Sequence, residues 1–266
     1  MKFFSVILLM IPFCLKTYGQ MDDKFYFPSK KWNKIDSVKH TEQTFFIEKD
    51  TLHGVWLYPN IKKPKATILY FHGSGGNVSR YIKYVKPLVQ DGFQVFMIDF
   101  RGYGKSSGKP THKNIATDAQ IVLDAILKDN KLKQQKLIVY GASMGSQVAC
   151  NLTKNNEDKI SAIVLDGCIA SFTDIALASM PVEQHEMARP FLVFPYGAKE
   201  DIKTITKSKI LLIHSKEDKE VPYSHYEMVL ANAKKDALSW IYTGGHLEAP
   251  LLHPKEFINQ INILIK

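Results

Sequence analysis

Ser143 stands in Gly141-Ala142-Ser143-Met144-Gly145, between the apolar run Leu137-Ile138-Val139-Tyr140 and a stretch rich in small residues and alanine. A serine hydroxyl is a weak nucleophile at neutral pH. It becomes a strong one beside a general base that is itself oriented by a carboxylate. An apolar strand before Gly-x-Ser-x-Gly and a helix after it form the setting in which a strained turn lifts a serine off a sheet. Glycines flank the serine because bulk there would meet the neighbouring strands and the helix. The competing reading is an ordinary glycine turn, since so short a pattern also arises by chance. A base and an acid placed after later strands would decide between the two.

Such residues are present. The apolar residues 210–213 lead into His214-Ser215-Lys216-Glu217-Asp218-Lys219-Glu220-Val221-Pro222, where Asp218 precedes a Val-Pro that begins a helix. Residues 239–243 lead into Gly244-Gly245-His246, a histidine free to point into a cleft. Asp166, in Leu165-Asp166-Gly167-Cys168, is the rival acid, and Glu217 a weaker one. Of the other histidines, His40, His53, His112 and His185 lie away from the carboxyl ends of strands and are expected to face solvent. His214 is expected to pack at its strand end, His225 to sit in a helix, and His253 to cap the last helix.

Two further glycine-rich loops follow apolar runs. His72-Gly73-Ser74-Gly75-Gly76-Asn77 lets backbone approach a ligand closely. It contains neither GxxxxGK[ST] nor GxGxxG, which disfavours nucleotide binding. In Asp99-Phe100-Arg101-Gly102-Tyr103-Gly104-Lys105-Ser106, Asp99 and Arg101 are expected to shape a tight loop rather than to react.

The elements that must position these residues follow from hydrophobic periodicity. Residues 44–48 and 52–58 read as a hairpin turning at Lys49-Asp50-Thr51. Strands are then expected at 67–71, 93–98, 137–140, 162–165, 210–214 and 239–243. Helices are expected at 77–90, 114–127, 143–154, 222–233 and 254–265. A leading hairpin followed by βα units implies an α/β fold: one mostly parallel twisted sheet with helices on both faces, joined by right-handed crossovers. Ligands in such sheets bind beyond the carboxyl ends of the strands, where the candidate residues fall. Residues 170–209 interrupt the rhythm with Met180-Pro181, Arg189-Pro190 and Phe194-Pro195. They read either as a small cap or as one extra helix with loops. The apolar Phe191-Leu192-Val193-Phe194 either favours an apolar substrate or packs the insertion on the sheet.

The chain's 266 residues, 45% hydrophobic and 23% charged, suit one domain, and no linker, repeat or low-complexity tract divides it. The formal charge of +9 comes mainly from scattered lysines. No nucleic-acid motif accompanies it, so nucleic acid is not an expected partner, while weak association with anionic surfaces is. Lys2, the apolar residues 3–15 and Thr17-Tyr18-Gly19 read as a secretory signal peptide over residues 1–19, cleaved before Gln20. The apolar stretch is short for a spanning helix, and the bulky Phe13 before Cys14 makes a poor lipobox. The protein is therefore expected to be exported, periplasmic or secreted. Residues 20–43 read as an irregular lead-in and 44–266 as the catalytic domain. Cys150 and Cys168 are expected to behave as small buried hydrophobes.

Together these residues resemble the α/β-hydrolase superfamily, from about Thr44 to the C-terminus. The loops at His72–Asn77 and Asp99–Gly108 resemble its Bem46 and ABHD-type branch, which is related to serine aminopeptidase-type hydrolases. The resemblance implies that Ser143 is the nucleophile, His246 the base and then the acid, and Asp218 the residue that orients His246. It also implies an oxyanion hole made by the backbone N–H groups of Met144 and Ser74, donors fixed before negative charge develops. The branch's loop reads His-Gly-Asn-Ala-Gly-Asn, where this chain has Ser74-Gly75. The implied activity is hydrolysis of a carboxylic ester or thioester, on a small-molecule or acyl-ester substrate, through an acyl-enzyme and without metal or organic cofactor. An exopeptidase and a non-catalytic binding protein on the same fold are the alternatives.

Overall fold

The computed structural model describes residues 22–266; the signal peptide expected over residues 1–19 lies outside them. An eight-stranded sheet forms the centre, with strands β1 (His40–Ile47), β2 (Asp50–Leu57), β3 (Thr67–Phe71), β4 (Gln94–Ile98), β5 (Leu137–Ala142), β6 (Ala162–Asp166), β7 (Lys209–Ser215) and β8 (Leu238–Tyr242). Their spatial order is β8-β7-β6-β5-β3-β4-β2-β1, and β2 runs antiparallel to both of its neighbours. The remaining pairings are parallel. The expected α/β architecture is therefore the observed one. Among the described residues no helix is long and apolar enough to cross a membrane.

Continuous apolar runs make the central strands because both faces are covered. Every residue of β3, β5 and β6 is buried. Alternation along β3 sends Leu69 and Phe71 to one side and Ile68 and Tyr70 to the other, so each joins a different hydrophobic core. One core packs under α2 (His112–Ile126) and α3 (Gly145–Lys154), the other under α1 (Val78–Gln90) and α5 (Pro254–Leu264). Side chains start two of these helices. Asn77 accepts the N–H of Ser79, and Thr111 and Asn114 cap each other's backbone in a capping box.

Two parts differ from the sequence expectation, and the insertion takes a form close to one of its two readings. The hairpin turns at Glu48-Lys49, with Ile47 opposite Asp50 and Glu48 at φ +53°, rather than at residues 49–51. The lead-in is not irregular throughout: Phe27–Pro28 pairs in parallel with Gly75–Gly76, and β1 already begins at His40. The 170–209 insertion holds one seven-residue helix, α4 (Phe172–Ala178), followed by short helical turns at Val182–Gln184, His185–Ala188, Arg189–Phe191, Ala198–Asp201 and Ile202–Thr204.

Docking of the lead-in explains an error about two histidines expected in solvent. His53 and His112 are 4% and 1% exposed. His112 opens α2 beneath Tyr26, whose hydroxyl lies 2.6 Å from its Nδ1, and Asp22, 3.0 Å from its Nε2. The rings of Phe25, Phe172 and Phe194 enclose it. This burial drives its pKa down to about 3. His53 lies beside Asp99 and edge-on to Trp32 of the lead-in. Neither burial is visible in local periodicity, because the covering residues are far away in sequence. Cys150 and Cys168 are buried thiols, as expected.

Candidate active site

β5 delivers Ser143 at the carboxyl end of the sheet. Its φ of +53° lies in the left-handed region, a strained position for a residue with a side chain. The turn can form only because its flanks lack side chains. A Cβ on Gly145 would lie 2.2 Å from the carbonyl oxygen of Phe71, and one on Gly141 would lie 2.5 Å from that of Gly145. Backbone bonds fix the strained residue: Ser143 N–H donates to the Asp166 carbonyl at 2.8 Å, and the Ser146 hydroxyl donates to the Ser143 carbonyl at 2.6 Å.

The loop after β7 carries Asp218 and the loop after β8 carries His246. His246 Nδ1 lies 2.6 Å from Asp218 Oδ2, and both side chains are nearly enclosed, at 7% and 1% exposure. The other carboxylate oxygen, Oδ1, accepts the N–H groups of Glu220 and Val221, each at 2.9 Å. Asp218 is thus held on both oxygens, and His246 Nδ1–H is committed to it, which leaves Nε2 to exchange a proton. Burial pulls the His246 pKa down, but the hydrogen bond and charge of Asp218, helped by Glu220 and Asp166, outweigh it and raise the net value above the ordinary one. Burial likewise pushes Asp218 up, and the bond and charge of His246 with the two N–H donors bring it below its ordinary value. Ser215 Oγ donates to the Gly244 carbonyl at 2.5 Å and Glu217 accepts the Gly244 N–H at 3.1 Å, tying the two loops together.

The rival acid points elsewhere. Asp166 accepts the Tyr140 hydroxyl at 2.7 Å, and burial, partly offset by that bond, raises its pKa to about 6. Its backbone nevertheless links the two halves of the site. The Asp166 carbonyl holds Ser143, and a Cβ on the next residue, Gly167, would sit 2.7 Å from His246 Cε1. Glu217, the weaker rival, is occupied by Gly244.

The loop after β3 closes the third side. A Cβ on Gly73 would lie 3.2 Å from that of Ser143, so this glycine permits close approach. The Ser74 carbonyl accepts the N–H of Phe27 at 2.9 Å and the hydroxyl of Tyr103 at 2.6 Å. Among the described residues neither the Ser74 nor the Met144 N–H donates to a protein acceptor, and both residues line one cavity of about 330 Å³. Lead-in residues Lys24, Phe25 and Phe27, together with Phe172, Ile175 and Met180, complete its wall. The sequence reading did not include these lead-in residues; the run Phe25-Tyr26-Phe27 within a polar segment was the signal. The apolar 191–194 stretch does not line this cavity. Phe191 is 73% exposed, and Phe194 packs on Phe25, His112 and Phe172.

The loop after β4 is structural, as expected. Asp99 accepts the Val78 N–H at the start of α1, and Arg101 forms a two-pronged pair with Asp118 and a third contact with Asp50.

The family model described as Serine aminopeptidase, S33, matches residues 62–195, half of the chain, including the Ser143 turn. This protein belongs to that α/β-hydrolase family. Among relatives of the S33 chain, the YfhR protein of Escherichia coli K12 is 28% identical over 250 residues, covering 91% of this chain and 86% of YfhR. Protein bem46 of Schizosaccharomyces pombe is 31% identical over 159 residues, covering 59% of this chain and 53% of bem46, in keeping with the Bem46-type branch. A Pyrococcus furiosus esterase superposes with a TM-score of 0.70 at 19% identity, covering 91% of this chain and 97% of the esterase; that likeness concerns the fold alone. The S33 chain is a hydrolase.

Proposed function

We propose that this hydrolase cleaves carboxylic esters or thioesters by attack of Ser143, with His246 as base and then acid and Asp218 as its orienting partner. In the forward step the Ser143 hydroxyl oxygen bonds to the substrate carbonyl carbon while its proton passes to His246 Nε2. The oxyanion is held by the N–H groups of Ser74 and Met144. Collapse breaks the bond to the leaving group, which takes the proton from His246, and water then hydrolyses the acyl-enzyme by the same route. The observations that carry this reading are a strained serine, a His–Asp pair at 2.6 Å linked to it through Asp166 and Gly167, and the Ser74 and Met144 N–H groups, which face one cavity and have no protein acceptor among the described residues.

The family's description names aminopeptidases, so peptide cleavage is the second reading. An aminopeptidase has to hold a substrate ammonium, for which a carboxylate is the natural partner. Among the described residues no Asp or Glu lines this cavity, and the charged residue there is Lys24, which favours esters. We propose further that the protein acts after export, on the strength of the signal-like N-terminus.

A panel of p-nitrophenyl acyl esters, acyl thioesters and aminoacyl-p-nitroanilides separates the two readings. Turnover of the esters or thioesters at a kcat/KM at least about a hundredfold above that of any anilide, well within the span of enzyme efficiencies, is expected. Preferential cleavage of anilides would overturn the ester reading.

A further inference from the structure

Residues 22–27 of the lead-in are tied down by several contacts. Asp22 and Tyr26 contact the buried ring of His112, Phe25 stacks among Phe172 and Phe194, and Phe27 N–H donates to the Ser74 carbonyl. The Tyr103 hydroxyl, which also bonds that carbonyl, accepts the same Phe27 N–H at 3.0 Å. Phe27 and Pro28 thus pair with the loop that carries the Ser74 N–H. Lys24, Phe25 and Phe27 line the cavity together with apolar Ile175 and Ala176 of α4 and Met180 beyond it, and the cavity of about 330 Å³ has room for roughly ten non-hydrogen atoms at about 30 Å³ each. The charge on this lining is Lys24, which is exposed and enters no ion pair among those of the described residues.

Resting on the ester-hydrolase reading, we propose that this arm is a specificity element and that the substrate is an amphiphilic acyl ester with a medium-length chain and one negatively charged group. The chain lies between Phe25, Phe27 and α4. The anion sits at the rim, opposite Lys24. Neutral esters of the same size fit the apolar wall but leave the cation unpaired, so the selection is between charged and uncharged members of one size class. Because Lys24 is solvated, its contribution is that of an exposed ion pair, small and weakened by salt.

The test uses two matched pairs of esters. In one pair the charge is on the alcohol: the octanoyl ester of 4-hydroxybenzoate against that of its methyl ester. In the other it is on the acyl chain: the mono-p-nitrophenyl ester of suberate against p-nitrophenyl octanoate. Wild type is expected to favour the anionic member of at least one pair. Lys24→Gln should cut that preference about three- to fivefold, Lys24→Glu should reverse it, and added salt should erode it in wild type alone. Phe27→Ala should raise KM for octanoyl over acetyl esters. The same preference is read as binding, by displacement of a fluorescent fatty-acid probe with octanoate or octanol from Ser143→Ala protein, so it is tested whether or not these esters turn over. Anion preferences equal in wild type and both Lys24 variants, in turnover and in binding, would overturn the proposal. Failure of all turnover with the binding preference intact would instead count against the ester-hydrolase reading.

Discussion

Replacing Asp218 by Asn separates an orienting acid from a merely structural one, and the surroundings fix how the amide must sit. Oδ1 of Asp218 receives two backbone N–H groups, from Glu220 and Val221. The amide oxygen of Asn must take that position. The opposite orientation would aim an NH₂ at both donors and leave the buried Val221 N–H unsatisfied, at about 1–3 kcal/mol. The amide NH₂ then faces His246 Nδ1, where the carboxylate oxygen lay 2.6 Å away. His246 must accept there, so its proton moves to Nε2, and the nitrogen needed as base is blocked. A triad whose acid becomes an amide loses about 10⁴-fold in kcat through this wrong tautomer, equivalent to about 5.5 kcal/mol at 1.36 kcal/mol per decade. The assay is kcat on a p-nitrophenyl ester near pH 8, with circular dichroism and a melting curve to show that the fold is kept. Asp166→Asn is the control. Asn at that position still accepts the Tyr140 hydroxyl, so turnover is expected to stay within about tenfold of wild type, the effect of losing no more than one ordinary hydrogen bond. A loss below tenfold in Asp218→Asn, or an abolished turnover in Asp166→Asn, would refute the reasoning.

Three further outcomes follow from the same geometry. Catalysis needs neutral His246, whose pKa is raised above 6.5, so kcat/KM is expected to rise with pH along a limb centred above 6.5; Glu220→Gln removes one of the charges that raise it and should shift that limb to lower pH. In stability terms, the raised His246 pKa favours the fold fully below 6.5 and less as pH climbs through the folded value, whereas the lowered Asp218 pKa favours it above 3.8 and less as pH falls through its folded value; Asp218→Asn should therefore flatten the dependence of Tm on pH in both ranges. Gly145→Ala places a methyl group 2.2 Å from the Phe71 carbonyl oxygen, against backbone that has no rotamer to yield. It should destabilise by about 1–3 kcal/mol or more, measured as a fall of several degrees in Tm, and an unchanged Tm would contradict the packing described for the turn.

The candidate site was legible in the sequence to the extent that it depends on strand ends. Ser143, Asp218 and His246 each follow an apolar run, and period and composition locate such runs without knowledge of the fold. Asp218 could be preferred over Asp166 because it precedes a Val-Pro at a helix start, and in the structure it is Asp218 that lies 2.6 Å from His246 Nδ1. Its two N–H donors from Glu220 and Val221 show why that local sequence suits an orienting carboxylate. What escaped the sequence is what depends on distant contacts. His112 reads as a polar residue at a helix start and becomes buried only when residues 22–27 and the 170–209 insertion close over it. The same closure turns Lys24, Phe25 and Phe27 from a lead-in into a cavity wall. The 191–194 run offered two readings, an apolar surface for a substrate or packing of the insertion. Its chain runs as short helical turns that expose Phe191, bury Leu192 and pack Phe194 on Phe25, His112 and Phe172, so consecutive apolar residues face different ways.

The central claim is that Ser143 is the atom that becomes acylated. Mature protein treated with a fluorophosphonate at neutral pH should gain the mass of one phosphonyl group, located by peptide mass spectrometry on the peptide containing Ser143. Ser143→Ala protein, equally folded, should gain none. Equal labelling of the two proteins, or an adduct mapped to any other residue, would contradict the mechanism at its first step.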